Sequence, residues 1–146
     1  MKKLLKSCSI CLIIIVMIST TVFAAAPNDL AAPQANSYIW KTTVSPVALG
    51  NGVIEFDCGV TGTGRMDKIG ISRIDIYKAD GTHVEGHYYT ESGYEYLMDY
   101  NSAKHNAFIP FQGVSGERYF AVVHFYASKG NGAGGVTMES SVVVAK

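Results

Sequence analysis

Cysteine, tryptophan and unbalanced charge are all scarce in this 146-residue chain, which holds three cysteines, one tryptophan, and twelve basic against twelve acidic side chains. Lysine and arginine are scattered singly among acids, so the basic patch that a nucleic-acid partner needs is missing. Only one long apolar run occurs, Ile10 to Ile18. It falls short of the ~20 residues a bilayer span requires.

That run reads as part of an export signal. Lys2, Lys3 and Lys6 precede it, and it ends in Ser19-Thr20-Thr21-Val22-Phe23-Ala24-Ala25. A basic start, an apolar middle and small residues at Val22 and Ala24 make a secretory signal peptide over residues 1–24, cut between Ala24 and Ala25. Neither Cys8 nor Cys11 follows the triplet that lipid attachment needs, so both leave with the signal. Removal takes three of the twelve basic residues and none of the twelve acids, leaving nine against twelve, a net charge of −3. The mature protein is expected to be secreted, with no membrane span, and monomeric.

Cys58 is then the lone thiol, and no intramolecular disulfide can form. It alternates in phase with Ile54 and Phe56 and out of phase with Glu55 and Asp57, which points it inward as an inert core residue. About 120 residues bury roughly two-thirds of their unfolded surface, enough for one core.

Residues 25–37 lack periodicity and read as a flexible leader, and residues 38–146 read as one domain. Strands are expected at Tyr38 to Val44, ended by Pro46, and at Val53 to Val60 after an Asn51-Gly52 turn. Thr61 to Gly64 reads as a loop. In the next strand, Ile69 to Tyr77, Ile69 and Ile71 disagree in phase with Ile74 and Ile76, which a bulge near Ser72 reconciles. Asp80-Gly81 closes a hairpin into His83 to Tyr89. Thr90 to Lys104 reads as a long loop with one short helical turn. His105 to Phe111 and Arg118 to Ala127 follow, the latter apolar on both faces and so expected to be central and covered. Gly130 to Gly135 reads as a hairpin loop before a last strand from Val136 to Ala145. Seven short strands without a convincing helix predict an all-β sandwich.

Gly116-x-x-Tyr119-x-Ala121-x-Val123 resembles the sixth strand of immunoglobulin-like and fibronectin-type domains, where the tyrosine hydrogen-bonds back to the preceding connection. Ala121 stands where antibody domains carry a cysteine, so the resemblance is to the architecture. A broader set of residues is similar to a family of small secreted Gram-positive bacterial proteins with a domain of unknown function. It comprises Val60-x-Gly62-x-Gly64-x-Met66-x-x-Ile69-Gly70, Ile74-x-Ile76-Tyr77, Asp80-Gly81, Gly93-Tyr94, Met98, His105, Gly113-x-x-Gly116 and Tyr119-x-Ala121-Val122-Val123-x-Phe125-Tyr126-Ala127. That resemblance implies export and this fold, and no catalytic residues.

Gly130-x-Gly132-x-x-Gly135 matches the dinucleotide-binding spacing, but no helix follows to receive a pyrophosphate. Gly59-x-x-x-x-Gly64-Arg65-Met66 departs from a P-loop at the lysine and at the hydroxyl that would meet Mg²⁺. His83-x-Glu85-x-His87 would share one face of a strand and form a weak metal candidate, with no fourth ligand evident. Ser115 with His105 or His124 lacks a nucleophile elbow and an orienting acid. No cofactor is expected.

Tyr88, Tyr89, Tyr94, Tyr96 and Tyr100 fall within thirteen residues. Amphipathic rings at such density stack on sugars or anchor a protein partner, or else tether their loop. The expected role is non-enzymatic binding of a glycan or protein at the cell envelope or in the surroundings. A self-associating matrix protein and a secreted hydrolase or effector are the alternatives.

Overall fold

Alternation of apolar and polar residues becomes strand along almost all of residues 36–146, the part of the chain that the computed structural model describes. The signal peptide, the Ala24–Ala25 site and all but the last two residues of the leader lie outside the described residues. Seven strands form: β1 (Ile39–Gly50), β2 (Val53–Lys78), β3 (His83–Tyr88), β4 (Met98–Gln112), β5 (Arg118–Lys129), β6 (Gly132–Glu139) and β7 (Val143–Val144). All pair antiparallel in one continuous sheet, the all-β fold expected.

β2, 26 residues long, organises the rest. Its Val53–Thr61 part lies between β1 and the second half of β4. Its Lys68–Lys78 part has β5 on one side, and on the other the start of β4 followed by β3. Between Thr61 and Met66 the ladder to β4 breaks, and the sheet folds over at that point. Inward residues of both halves, such as Ile54 and Phe56 from one and Ile74 and Ile76 from the other, therefore share a single core with Ile109, Tyr119 and Phe125. Each large side chain so buried contributes about 1.5–3 kcal/mol.

The bulge at Ser72 is present as a register shift between Ile71 and Arg73 against β5, and the Ser72 hydroxyl donates to the His124 carbonyl at 2.9 Å. Ile69, Ile71, Ile74 and Ile76 are all buried as a result. Asn51 and Gly52 both take positive φ, 53° and 81°, which the tight β1–β2 turn requires. The Tyr119 hydroxyl accepts from the Val114 N–H at 3.0 Å, closing the tyrosine corner.

Five expectations are corrected. β1 does not stop at Pro46 but runs to Gly50, because it pairs with β2 alone and an edge strand tolerates a residue without an N–H. Thr61 to Gly64 is the bend inside β2 and not a loop. β4 begins at Met98, so Thr90 to Lys104 is loop only up to the single 3₁₀ turn Glu95–Leu97; the polar run after it is strand, paired to β2 with Asn101 at a positive φ of 53°. Gly132 to Gly135 is strand, paired to β5, and only Gly130-Asn131 turns. A Cβ at Gly132 would occupy the space of the Tyr38 hydroxyl, and one at Gly134 that of the Asn36 amide. These glycines let the chain before β1 pack against β6. The last strand is also split: β6 ends at Glu139, where Ser140 replaces a ladder rung by exchanging bonds with Ala121.

One chemically active side chain is locked into this core, and a second is half-buried. Burial, with Asp57 adding to it, pushes the Cys58 thiol up to about 12, so it is inert at neutral pH. His105 points inward from β4 opposite Val60, with its Nε2 buried and unpartnered. Burial lowers its pKa against the opposing pull of Asp99 and the Tyr96 backbone. A histidine depressed in the folded state takes up its proton more readily when unfolded. Its contribution is therefore neutral above the unfolded value of about 6.5 and turns against folding as pH falls through it. Thermal melts from pH 8 to pH 5 are expected to show Tm falling through that region, and His105→Gln is expected to flatten this part of the slope.

Candidate functional site

β5 is central, but only its inner face, Tyr119, Ala121, Val123, Phe125 and Ala127, is buried; the other face is half open. That departs from the expectation of cover on both sides. The open side belongs to a broader outer face, on which the pairings set side chains in rungs. Tyr100, Lys68 and Ser128 form one rung; beyond the Met98, Gly70, Tyr126 and Gly135 rung come Tyr88, Arg73, His124 and Thr137; then Gly86, Asp75 and Val122; then His83, Tyr77 and Phe120.

At its centre lies Asp75, the one charged residue buried among the described residues. The Arg73 guanidinium donates to its Oδ1 at 2.6 Å. His83 Nε2 stands 3.2 Å from the same oxygen, and a carboxylate only accepts, so the proton is on that nitrogen. His124 Nε2 faces Oδ2 at 3.7 Å while its Nδ1 meets the Thr137 hydroxyl at 3.0 Å. Gly86 makes this packing possible, because a Cβ there would meet the Asp75 carboxylate. The hydrogen bond to Asp75 also raises the Arg73 pKa above its ordinary value.

Aromatic rings surround these planar donors. Tyr77 and Phe120 stack at 5.4 Å, and the His83 ring meets Tyr77 edge-on at 5.1 Å. The Arg73 guanidinium lies 5.0 Å above the Tyr88 ring, and Lys68 Nζ 5.7 Å above Tyr100. One buried carboxylate thus fixes an arginine and one histidine among aromatic surfaces, with His124 set beside them by Thr137, a preorganised arrangement on the strands. The side chains of Arg73, His83 and His124 remain about two-fifths to half exposed.

The tyrosine group divides. Tyr88 and Tyr100 stand on this outer face, and Tyr100 is 54% exposed. Tyr89 and Tyr94 pack against the core. The Tyr94 ring stacks on His87 at 3.9 Å, and Tyr96 lies beside Tyr94 with ring centres 6.2 Å apart. Burial raises the pKa of the Tyr94 phenol, with Glu85 and Glu91 adding to it; burial raises that of Tyr96 as well. Those two rings hold the segment before β4 against the other side of β3.

His83, Glu85 and His87 do not share a face. A register shift between Ile76 and Tyr77 adds a residue to β3 and turns His83 toward Asp75. His87 instead lies between Glu85, at 3.5 Å, and Glu91, at 3.3 Å. No group of three or more metal-ligating side chains gathers among the described residues. His105 faces inward and His124 outward, so the pairing of both with Ser115 does not assemble.

Nothing in the sequence marked Arg73, Asp75 or His124 as a group. Asp75 sits between Ile74 and Ile76 in the outward phase and reads as an ordinary solvated acid. Only the register brings the two histidines, 8 and 49 residues away in sequence, onto it.

The fold and this face define an all-β protein with an open, aromatic and hydrogen-bonding sheet surface. No protein-family model, curated protein or solved structure matches the chain.

Proposed function

We propose that this protein is exported and binds, without catalysis, a glycan of the cell envelope or its surroundings through the outer face of β3, β2, β5, β6 and the start of β4. The observation that carries the reading is Asp75, which holds Arg73 and His83 as planar donors, with His124 beside them, among the rings of Tyr77, Tyr88, Tyr100 and Phe120. A sugar ring offers apolar C–H faces and hydroxyl edges together. Aromatic surfaces match the first and fixed polar side chains the second. Export is supported by Lys2, Lys3 and Lys6 before the apolar run at Ile10 to Ile18. The Tyr119 corner supports the immunoglobulin-like assignment of the fold.

Co-sedimentation of the purified protein with insoluble envelope glycan tests the reading. Tyr88→Ala and Tyr100→Ala are each expected to weaken binding about tenfold, which corresponds to about 1.4 kcal/mol. Tyr96→Ala, on the other side of β3, is expected to leave it unchanged. Retention on whole cells that is abolished by protease treatment of those cells would indicate a protein ligand instead.

A further inference from the structure

The outer face of the other half of the sheet, β1–β2–β4, is also open, and its charges are sorted along the strands. Four rungs cross it: Val47–Glu55–Pro110, Ser45–Asp57–Phe108, Thr43–Gly59–Asn106 and Lys41–Thr61–Lys104. The acids lie in the first two rungs and the lysines in the last. Six residues along a strand separate Glu55 from Thr61, about 20 Å. Phe108, 57% exposed, and Val47, 48% exposed, bring apolar surface to the acidic half, while Gly59 leaves the neighbouring rung without a central side chain.

We propose that this face is the contact between two copies of the chain, packed face to face about a two-fold axis that lies across the strands. Such an axis reverses strand direction, so the Lys41–Lys104 rung of one copy lies over the Glu55 rung of its twin, and symmetry repeats the match at the other end. An axis along the strands would instead stack lysine on lysine. Two lysines against two acids leave the face without net charge, so a uniformly acidic or basic partner gains nothing from it. A partner with the same segregation is matched at both ends, and the chain itself is such a partner. Phe108 and Ser45 then lie near the axis, with the charged rungs at the rim. The contact is independent of the glycan face, which lies on the other half of the sheet.

Sedimentation velocity of the purified protein is expected to show a dimer whose fraction grows with concentration and falls as salt screens the charged rungs. Carbodiimide coupling, which joins a lysine to a carboxylate with loss of water, is expected to give intermolecular Lys41–Glu55 and Lys104–Glu55 peptides by mass spectrometry. The double variants Glu55→Lys/Asp57→Lys and Lys41→Glu/Lys104→Glu, checked for folding by circular dichroism, are each expected to be monomeric alone and to associate when mixed. Wild-type protein that stays monomeric at every concentration, association insensitive to salt, cross-links only at other positions, or folded variants that dimerise alone or fail to associate when mixed would each overturn the proposal.

Discussion

Gly70→Ala is expected to lower the stability of the fold by about 1–3 kcal/mol, the usual penalty for forcing extra volume into a filled site. Gly70 is buried on β2 between Met98 of β4 and Tyr126 of β5. A Cβ there would stand 2.8 Å from Met98 Cα and closer still to the Leu97 carbonyl oxygen. Both neighbours are backbone, so no side-chain rotation relieves the clash; the Glu95–Leu97 turn must lift away. Leu97, fully buried, would be drawn out with it, and the stacking of Tyr94 on His87 would loosen. At roughly 4–8 °C per kcal/mol for a domain near this size, the loss is readable in a thermal melt. Gly64→Ala is the control: a Cβ at Gly64 meets nothing within 4 Å, and a change within about 0.5 kcal/mol is expected. Equal melting temperatures for Gly70→Ala and wild type would mean that the turn does not press on β2 as described.

The second large effect concerns an asymmetry in one ion pair. Arg73→Ala is expected to lower Tm more than Asp75→Ala does, although each removes the same 2.6 Å contact. Asp75 is nearly fully buried, and without Arg73 its carboxylate keeps only the His83 hydrogen bond in a site sheltered from water, where an under-compensated ion is costly. Arg73, His83 and His124 are partly exposed and turn toward water when the acid is gone, so their loss is screened. Combining Arg73→Ala with Asp75→Ala is therefore expected to recover much of the Tm lost in Arg73→Ala alone. Binding should rank in another order, because Asp75→Ala leaves a folded protein whose donors Arg73 and His83 are no longer held in place. Its glycan affinity is expected to fall about tenfold, about 1.4 kcal/mol. Equal Tm values for the two single variants would contradict the buried position of Asp75.

The contrast between Ser72 and Asp75 shows what a sequence can disclose here. Four isoleucines in two conflicting phases required a bulge, and hydrophobic periodicity placed it at Ser72, where the register shift is found. Cys58 followed from the same period, and the Tyr119 corner from a spacing with a known hydrogen bond. Each of these depends on residues close in sequence. Asp75 depends on which strand lies beside β2, on a bulge in β3 that turns His83 over, and on a glycine at the facing position 86. Local alternation carries none of that, and an outward acid in a strand usually meets water. Gly130 to Gly135 misled for a related reason: glycine signals a turn, but Gly132 and Gly134 accommodate Tyr38 and Asn36 from nearly a hundred residues away. Met98 to Lys104 lacked period-2 apolarity because none of its side chains after Met98 is buried, and Asn101 interrupts it. Of the five tyrosines, their density was legible and their division between the two sides of β3 was not, since that follows from the strand starting at Met98.

The most direct measurement is an amide chemical-shift titration of isotope-labelled protein with soluble fragments of envelope glycan. The expected result is saturable shifts at Lys68, Arg73, Tyr77, Tyr88, Tyr100 and Phe120, which in Asp75→Ala need about tenfold more glycan. Shifts confined to Tyr94 through Leu97 or to the β1–β2–β4 face, or none at any glycan concentration, would contradict a binding site built around Asp75.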